Sequence, residues 1–268
     1  HVDDAMFKTL FESMKWLERT YLGYLNQEGS DPVKWTMIEW VILQIAEKLT
    51  KEQNKRRIMG VYAKPESGRA YNALHGSTGG IYTLIRYMNE FKLNPFDDAG
   101  LSSYDNSSTN MVDAIIAFKE KLRETLEDFD ESQFEMILNA NHRHWFKDQY
   151  RSKYGSDNDF TAIVDTMVPD SEMPIRWVRG MGNLKFIIVQ QPGNIQLLEN
   201  LPGEMFNIKF QQDMENVKAW SVWKEGVSAA FVGKRFTSRS ALESNNYENQ
   251  MIFTNKPVKE IAQDETTP

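Results

Sequence analysis

The sequence contains no cysteine. Thiol nucleophiles, disulfides and thiolate zinc sites are therefore excluded. No run of apolar residues approaches the roughly 20 that a membrane-spanning helix requires. The first residues, His1-Val2-Asp3-Asp4, show neither a basic start nor an apolar run, so we expect no signal peptide and no association with a membrane.

Signatures of catalysis are also missing. Residues 76–80 are rich in glycine but lack the Gly-Lys-Ser/Thr ending of a phosphate-binding loop, and residues 226–235 have the wrong glycine spacing. No Gly-x-Ser-x-Gly turn, which carries a nucleophilic serine, is present. We therefore expect that the protein is not an enzyme and uses no cofactor, and we assign no catalytic, cofactor-binding or metal-binding residue.

The composition is that of a folded chain. Of its 268 residues, 41% are hydrophobic and 26% are charged, which suits one large domain or two modest ones. The net charge is −7, so binding to nucleic acid would need a local basic face. Aromatic residues reach 12%, which suits a packed core and a protein interface alike.

Helical patterns dominate the first half of the chain. Apolar residues from Phe7 to Leu25 recur at three- and four-residue spacing and predict a helix from Asp4 to Leu25. Asp31-Pro32 is a helix start signal, and the stripe that includes Val41, Ile45 and Leu49 predicts a long helix reaching Arg57. Further patterns predict a strand at residues 61–64, helices at 81–88 and from Asn110, and a strand or helical turn within 134–150.

Strand patterns dominate the last third. Residues 184–189 and 195–198 read as strands separated by Pro-Gly turn chemistry. Residues 217–223 and 227–232 read as a hairpin whose turn is Lys224-Glu225-Gly226. We therefore predict an α+β fold with a helical N-terminal half and antiparallel strands in the C-terminal half. Its predicted parts are an N-terminal helical segment (1–30), a main domain (31–236) and a polar tail (237–268).

Three groups of residues leave alternatives open. His142 and His144, with His75, could begin a metal site or be polar surface histidines. Residues 76–80 precede a helix, so their backbone donors could hold an anion, or the loop could be a flexible, capped helix start. Bases alternate with aromatics in Arg176-Trp177-Val178-Arg179 and Lys234-Arg235-Phe236. This pattern is typical of a nucleic-acid platform but is also common and short.

Three segments together resemble the major capsid protein of tailed bacteriophages, the Hong Kong 97-like fold. The predicted long helix from Asp31 to Arg57, followed directly by a strand, is similar to that family's spine helix. Residues 182–195, an apolar strand followed by a Pro/Asn turn, resemble its late strand, and residues 216–235 resemble its closing hairpin. The resemblance spans about residues 30–236. The family carries an extended arm before the spine helix, whereas residues 3–28 look helical, so we expect that this chain lacks the arm.

The resemblance implies a function. It predicts a structural subunit of a phage or prophage capsid that self-assembles through copies of itself in rings or a shell, with other virion or scaffold proteins as further partners. It implies a location in the virion, and in the host cytoplasm before assembly. Residues 94–110 and the tail after Ser238 are expected to reach neighbouring copies. The alternative is a nucleic-acid-binding or nucleic-acid-processing protein that uses Arg176, Arg179, Lys234 and Arg235.

Overall fold

The computed structural model describes residues 2–11, 37–63, 72–89, 93, 95–96, 104–126, 129–155, 165–213, 216–233, 238, 240, 247 and 250–255. The chain divides into two compact units, each built from two separate stretches of the sequence. The first combines His1–Gly79 with Leu197–Val227, and the second combines Gly80–Gln196 with Ser228–Pro268. Predictions that fall on residues 12–36, 97–103, 156–164 or 256–268 lie outside the described residues.

Helices and strands alternate irregularly along the chain. The helices are α1 (Met37–Met59), α2 (Gly80–Asn89), α3 (Asn110–Thr125) and α4 (Arg143–Tyr154). The strands are β1 (Asp3–Phe11), β2 (Val61–Tyr62), β3 (His75–Gly76), β4 (Glu135–Asn139), β5 (Ile175–Val178), β6 (Ile188–Gln190), β7 (Ile195–Glu199), β8 (Lys209–Asp213), β9 (Asn216–Ala229) and β10 (Ile252–Thr254). None of these helices is long and apolar enough to cross a membrane.

The first unit is built on the long strand β9. Strand β1 pairs with it antiparallel from Asp3↔Glu225 to Phe11↔Val217. Strand β8 pairs with it antiparallel, and β7 also lies beside it in the sheet. Helix α1 covers one face of this sheet, where apolar side chains of the helix and the strands form a core: Ala5, Val41, Ile45, Leu49, Met205, Ala219 and Trp223.

The predicted helix from Asp4 is wrong over the described residues, because residues 3–11 form β1. Their side chains alternate between the two faces: Ala5 is buried and Phe7 half-buried, whereas Met6 and Leu10 are exposed. The apolar residues of this segment fit helical spacing as well as strand alternation. Nine backbone pairings with β9 decide between the two, and nothing in the local sequence announces them.

The predicted hairpin within residues 217–232 is also wrong. Residues 216–229 form one uninterrupted strand of 14 residues, and the predicted turn lies inside it. Glu225 is buried there, and Lys224 lies opposite Asp4. Lys-Glu-Gly is suitable turn chemistry, but a distant partner for Glu225 makes the extended conformation the favourable one.

The predicted spine helix is confirmed where the structure describes it. Helix α1 covers 23 residues and runs directly into β2, as the sequence predicts. Val41, Ile45 and Leu49 are buried at four-residue spacing, which is one stripe of an α-helix. The helix ends at Met59, two residues beyond the predicted end, and residues 31–36 lie outside the described part.

The second unit contains a four-stranded sheet in the order β10-β6-β4-β5. Its pairings are antiparallel except for β4 with β5, which run parallel from Met136↔Ile175. Helices α3 and α4 pack together and supply Ile115, Phe118 and Phe146 to a core that also includes Met136 and Val189. The fold is therefore mixed α and β with mainly antiparallel strands, while the helical N-terminal half is not confirmed.

Most shorter sequence predictions agree with this unit. The glycine-rich loop leads into α2, and a helix starts at Asn110 as predicted. The ambiguous stretch 134–150 contains both alternatives, strand β4 and the start of α4. The strand predicted at 184–189 is shorter and shifted, because β6 begins at Ile188, although Leu184, Phe186 and Ile187 are buried.

The end of α1 approaches the glycine-rich loop closely. Gly60 N donates to Arg56 O at 2.7 Å, and Gly79 N donates to Gly60 O at 2.8 Å. A Cβ atom on Gly79 would lie 2.5 Å from Gly60 N and 2.6 Å from Arg56 O. Both are backbone atoms that cannot rotate away, so the turn after the spine helix requires glycine.

Substituting Gly79→Ala should therefore destabilise the protein by about 3 kcal/mol, because overpacking against backbone must shift the chain. The matched control is Gly193→Ala, where φ is +79° and nothing lies within 4 Å of the added Cβ. The control should cost only about 1 kcal/mol, the cost of a left-handed conformation. Urea unfolding followed by tryptophan fluorescence measures both. Equal losses for the two variants would contradict the close approach.

Candidate functional site

A buried ion pair joins the spine helix to the long strand. Arg56 Nε of α1 donates to Glu225 Oε1 of β9 at 2.6 Å, and the two side chains are only 5% and 6% exposed. The Arg56 guanidinium also lies 5.4 Å from the centre of the Trp223 ring, in cation–π geometry. Taking two charges out of water is costly, so this pair must be held in good geometry to be stable.

Further donors complete the surroundings of Glu225. Ser77 Oγ donates to Glu225 Oε1 at 2.9 Å, and Gln53 Nε2 donates to Oε2 at 3.1 Å. Burial acts to raise the pKa of Glu225, but the hydrogen bond and charge of Arg56, with help from Ser77, outweigh burial and lower that pKa below its ordinary value. The carboxylate is therefore ionised in the folded protein at neutral pH.

The glycine-rich loop binds a carboxylate of the chain itself. Thr78 N and Thr78 Oγ donate to Asp3 Oδ2 at 3.0 Å and 2.7 Å. Ser77 is likewise used by Glu225, and Gly79 by Gly60. The loop thus does hold an anion, as one sequence alternative proposed, but the anion is a side chain of β1. Its role here is to fix β1 at the edge of the sheet.

Opposite this network lies the outer sheet face, defined as the side chains of β1, β8 and β9 that point away from α1. Residues directly opposite in antiparallel strands share a face. Among residues whose side chains are described, the register therefore gives four cross-strand rows: Asp4 with Lys224, Met6 with Val222, Lys8 with Trp220 and Lys209, and Leu10 with Lys218 and Gln211.

The outer sheet face is exposed and partly apolar. Met6 is 55% exposed, Val222 54% and Leu10 45%. Its described side chains are mainly basic, with four lysines against one aspartate, and Asp4 Oδ1 already lies 3.6 Å from Lys224 Nζ. An exposed apolar stripe between lysines, on a rigidly held sheet, is the composition of a contact surface.

The histidine alternatives are both wrong for His142. It is 3% exposed, stacks on Trp145 with ring centres 4.1 Å apart, and hydrogen-bonds Tyr104 Oη through Nδ1 at 3.1 Å. Burial, with nearby Lys185 and His144, lowers the pKa of His142 to about 4. His142 is a neutral core residue, while His144 is exposed.

His75 lies in the first unit, and its Nδ1 accepts from Asn72 N at 3.0 Å. Across the ranges that the structure describes, no three side chains of His, Asp and Glu are grouped so that they could hold a metal ion.

The basic-aromatic segment 176–179 does not form a stacking platform. Trp177 is half-buried against the core, and its Nε1 donates to Asp165 O at 2.6 Å. Arg176 and Arg179 are exposed, and Arg176 Nη1 lies 3.6 Å from Glu135 Oε1. Residues 234–236, the other part of the proposed platform, lie outside the described residues.

Sequence reasoning missed the buried pair entirely. Arg56 lies near the predicted end of the long helix, and it continues the buried stripe of Leu49 and Gln53. Glu225 likewise continues an alternation with Trp223 and Val227, all three buried. A charged residue in phase with a buried stripe in two separate elements was the available signal, because such charges occur buried almost only in pairs.

Substituting Glu225→Gln should destabilise the protein by about 3–5 kcal/mol, because it leaves the Arg56 charge buried without a counter-ion. The double variant Arg56→Met, Glu225→Met should lose less, since neither charge then remains. The matched control is Glu199→Gln, which removes the 2.9 Å contact with the partly exposed Arg57. The control should cost under about 1 kcal/mol. Chemical unfolding measures all three, and equal losses for Glu225→Gln and Glu199→Gln would exclude a special role for the buried pair.

The same pair predicts a pH dependence. Because the pKa of Glu225 is lower folded than unfolded, its ionisation stabilises the fold above the ordinary glutamate pKa of 4.5 and ceases to do so as pH falls through the lowered pKa. The stability difference between the unmodified chain and Glu225→Gln should thus be constant at neutral pH and shrink below about pH 4.5. Urea midpoints measured from pH 7 to pH 3 test this, and a difference that grows in acid would contradict it.

The sequence matches no protein-family model and no curated protein. Similarity appears in solved structures. One such structure is the procapsid of satellite phage P4, which includes the size determination (Sid) protein. Its similarity to this protein covers 96% of this chain and 71% of the procapsid chain, with 10% identity and a TM-score of 0.54.

Two other similar structures have lower TM-scores. For the capsid of Myoviridae phage XM1, the similarity covers 94% of this chain and 72% of that chain, at 10% identity and a TM-score of 0.43. For the SrpI encapsulin complex of Synechococcus elongatus PCC 7942, it covers 96% of this chain and 75% of that chain, at 9% identity and a TM-score of 0.43. The likeness to the P4 procapsid chain shows that the two share a fold, and the prediction of a Hong Kong 97-like capsid fold is confirmed at that level.

Proposed function

We propose that this chain is a structural subunit of a phage or prophage capsid that self-assembles into a shell. The observation that carries the proposal is the fold shared with the P4 procapsid chain over nearly the whole length of this protein. A fold alone does not determine function. The proposal therefore also needs surfaces suited to repeated contacts between copies.

The first unit offers such a surface. Shell contacts are heterologous, so one patch meets a different patch on the neighbour and neither must be self-complementary. The outer sheet face combines exposed Met6, Leu10 and Val222 with lysines. On the opposite side of the sheet, the Arg56–Glu225 pair holds β9 and the Asp3–Thr78 bonds hold β1. A preorganised face loses little conformational entropy when it binds.

The remaining expectations belong to this proposal. The protein acts as a structural component and not as an enzyme, its partners are copies of itself and other virion or scaffold proteins, and it resides in the virion after assembly in the host cytoplasm. Phe96 and Tyr104 are buried in the core of the second unit, as are Ile252 and Phe253 of β10, so the reach of residues 94–110 and of the tail from Ser238 to neighbouring copies is proposed only for the rest of these segments. Because β1 and β10 belong to the two sheets, the separation of residues 1–30 and 237–268 from a main domain stays a prediction only outside these strands. The nucleic-acid alternative is not favoured, since Trp177 is committed to the core.

Self-assembly is tested by expressing the chain alone and together with its genomic neighbours. We expect closed shells or rings of uniform size in negative-stain electron microscopy, and a matching large species in light scattering after size-exclusion chromatography. A chain that stays small and monodisperse at high concentration under both conditions would overturn the proposal.

A filter-binding assay with duplex DNA at low and high salt is the matched control. Tight binding that falls steeply with salt, in the absence of shells, would favour the nucleic-acid alternative instead.

A further inference from the structure

The charge of the outer sheet face differs from that of the chain. The whole sequence carries a net charge of −7, yet among the side chains that the structure describes this face presents Lys8, Lys209, Lys218 and Lys224 against the carboxylate of Asp4. Lys8 and Lys209 flank Trp220 in one cross-strand row. The acidic excess must therefore lie on other surfaces.

One such surface lies in the second unit, and we name it the acidic patch. Arg123 bridges the carboxylates of Glu120 and Glu131, and Glu131 also accepts from Ser171 Oγ. Lys119 Nζ donates to Asp170 O at 3.2 Å, which brings the loop at 170–172 beside the helix α3. We define the acidic patch by the charged residues at the end of α3, at positions 130 and 131 and in this loop, which are six carboxylates and two bases: Glu120, Glu124, Asp130, Glu131, Asp170 and Glu172 with Lys119 and Arg123.

Two acids of this patch are held in the charged form by their neighbours. Hydrogen bonds from Ser132 and Gln133 lower the pKa of Asp130. Burial acts to raise the pKa of Glu131, but hydrogen bonds from Ser171 and Arg123 lower it overall. Glu124, Asp130, Asp170 and Glu172 are exposed, so most of the carboxylates of the patch are accessible to a partner.

We propose that the outer sheet face of one copy docks on the acidic patch of a second copy of this chain. The inference rests on the proposed self-assembly and names the two surfaces that meet. Opposite charge aligns them, and Met6, Leu10 and Val222 supply the apolar area that charge alone does not. Because the two surfaces differ, the contact is head-to-tail and can be repeated from copy to copy.

The composition of the face favours a protein partner over nucleic acid. Between its lysines lie aliphatic side chains, Met6, Leu10 and Val222, and one half-buried tryptophan. Non-specific binding of single strands relies on aromatic rings that stack on bases. Aliphatic groups gain nothing from a phosphate backbone, whereas they bury area against a protein surface.

The test changes the charges of the two surfaces. The first variant carries Lys8→Glu and Lys209→Glu, which makes the face acidic. The second carries Glu124→Lys and Glu172→Lys, which leaves four carboxylates and four bases in the patch and so removes its net negative charge. All four positions are exposed, so both variants should keep the unmodified circular dichroism and urea midpoint. Self-association is measured by sedimentation velocity at about 0.1 M salt, where the Debye length is about 10 Å.

Each variant alone should associate at least about tenfold more weakly than the unmodified chain, because the first sets an acidic face against the acidic patch and the second removes the charge of the patch. An equimolar mixture should recover association to within about threefold, since the unmodified face of the second variant meets the unmodified patch of the first. The quadruple variant has neither unmodified surface and should not recover association. Raising the salt to about 1 M should weaken association of the unmodified chain.

Three outcomes would overturn the inference, and a fourth would support it while contradicting the proposed function. Shells that form equally well with either variant would show that this contact is not used, and the capsid proposal would stand. A mixture that fails to recover association would exclude the pairing of these two surfaces. Reversible pairs of the unmodified chain without any shell would support the contact and contradict the capsid proposal. DNA binding that is lost only in the first variant, together with a mixture whose self-association does not recover, would assign the face to nucleic acid.

Discussion

The first unit depends on one interaction, the buried pair of Arg56 and Glu225. A carboxylate inside a strand and a guanidinium inside a helix are each unfavourable in an apolar interior. Together they determine which helix face meets which strand, and at which register, because any shift would leave a buried charge alone. With β9 extended through Glu225, its neighbour β1 can pair along nine residues.

The hydrogen bonds around this pair use the polar groups of the glycine-rich loop, which the sequence suggested as a possible anion-binding site. Ser77 donates to Glu225, and Thr78 to Asp3, so the glycine-rich loop is occupied by the protein's own carboxylates. Gly60 and Gly79 permit the backbone contact that places this loop against the helix end. The buried carboxylates of Asp3 and Glu225 thus find their partners within the first unit. On the outer face Lys224 meets Asp4, whereas neither Lys8 nor Lys209 has an ion-pair partner in the described part of the chain.

The sequence predicted those elements whose stability is local. Helices α1 and α3 carry long apolar stripes, and the strand β7 follows a Pro-Gly turn whose Gly193 has φ of +79°. It failed where distant residues decide. Residues 3–11 and 224–226 have local chemistry typical of a helix and a turn, and both are strand because they pair with each other. For the candidate site the sequence offers two charges in phase with buried stripes, but not that they pair with each other, since an ion pair between positions 169 residues apart leaves no local pattern.

A fold can be shared at 10% sequence identity because the constraints on a protein core are on volume and pattern and not on particular residues. Cores tolerate extensive exchange of apolar residues when volume and pattern are kept, so little identity needs to survive. Surfaces have even more freedom, and contacts between copies must match only each other. The identity of the contact residues therefore cannot come from a distant structure. It has to come from this chain's own charges, and those place lysines on the outer sheet face and carboxylates on the acidic patch.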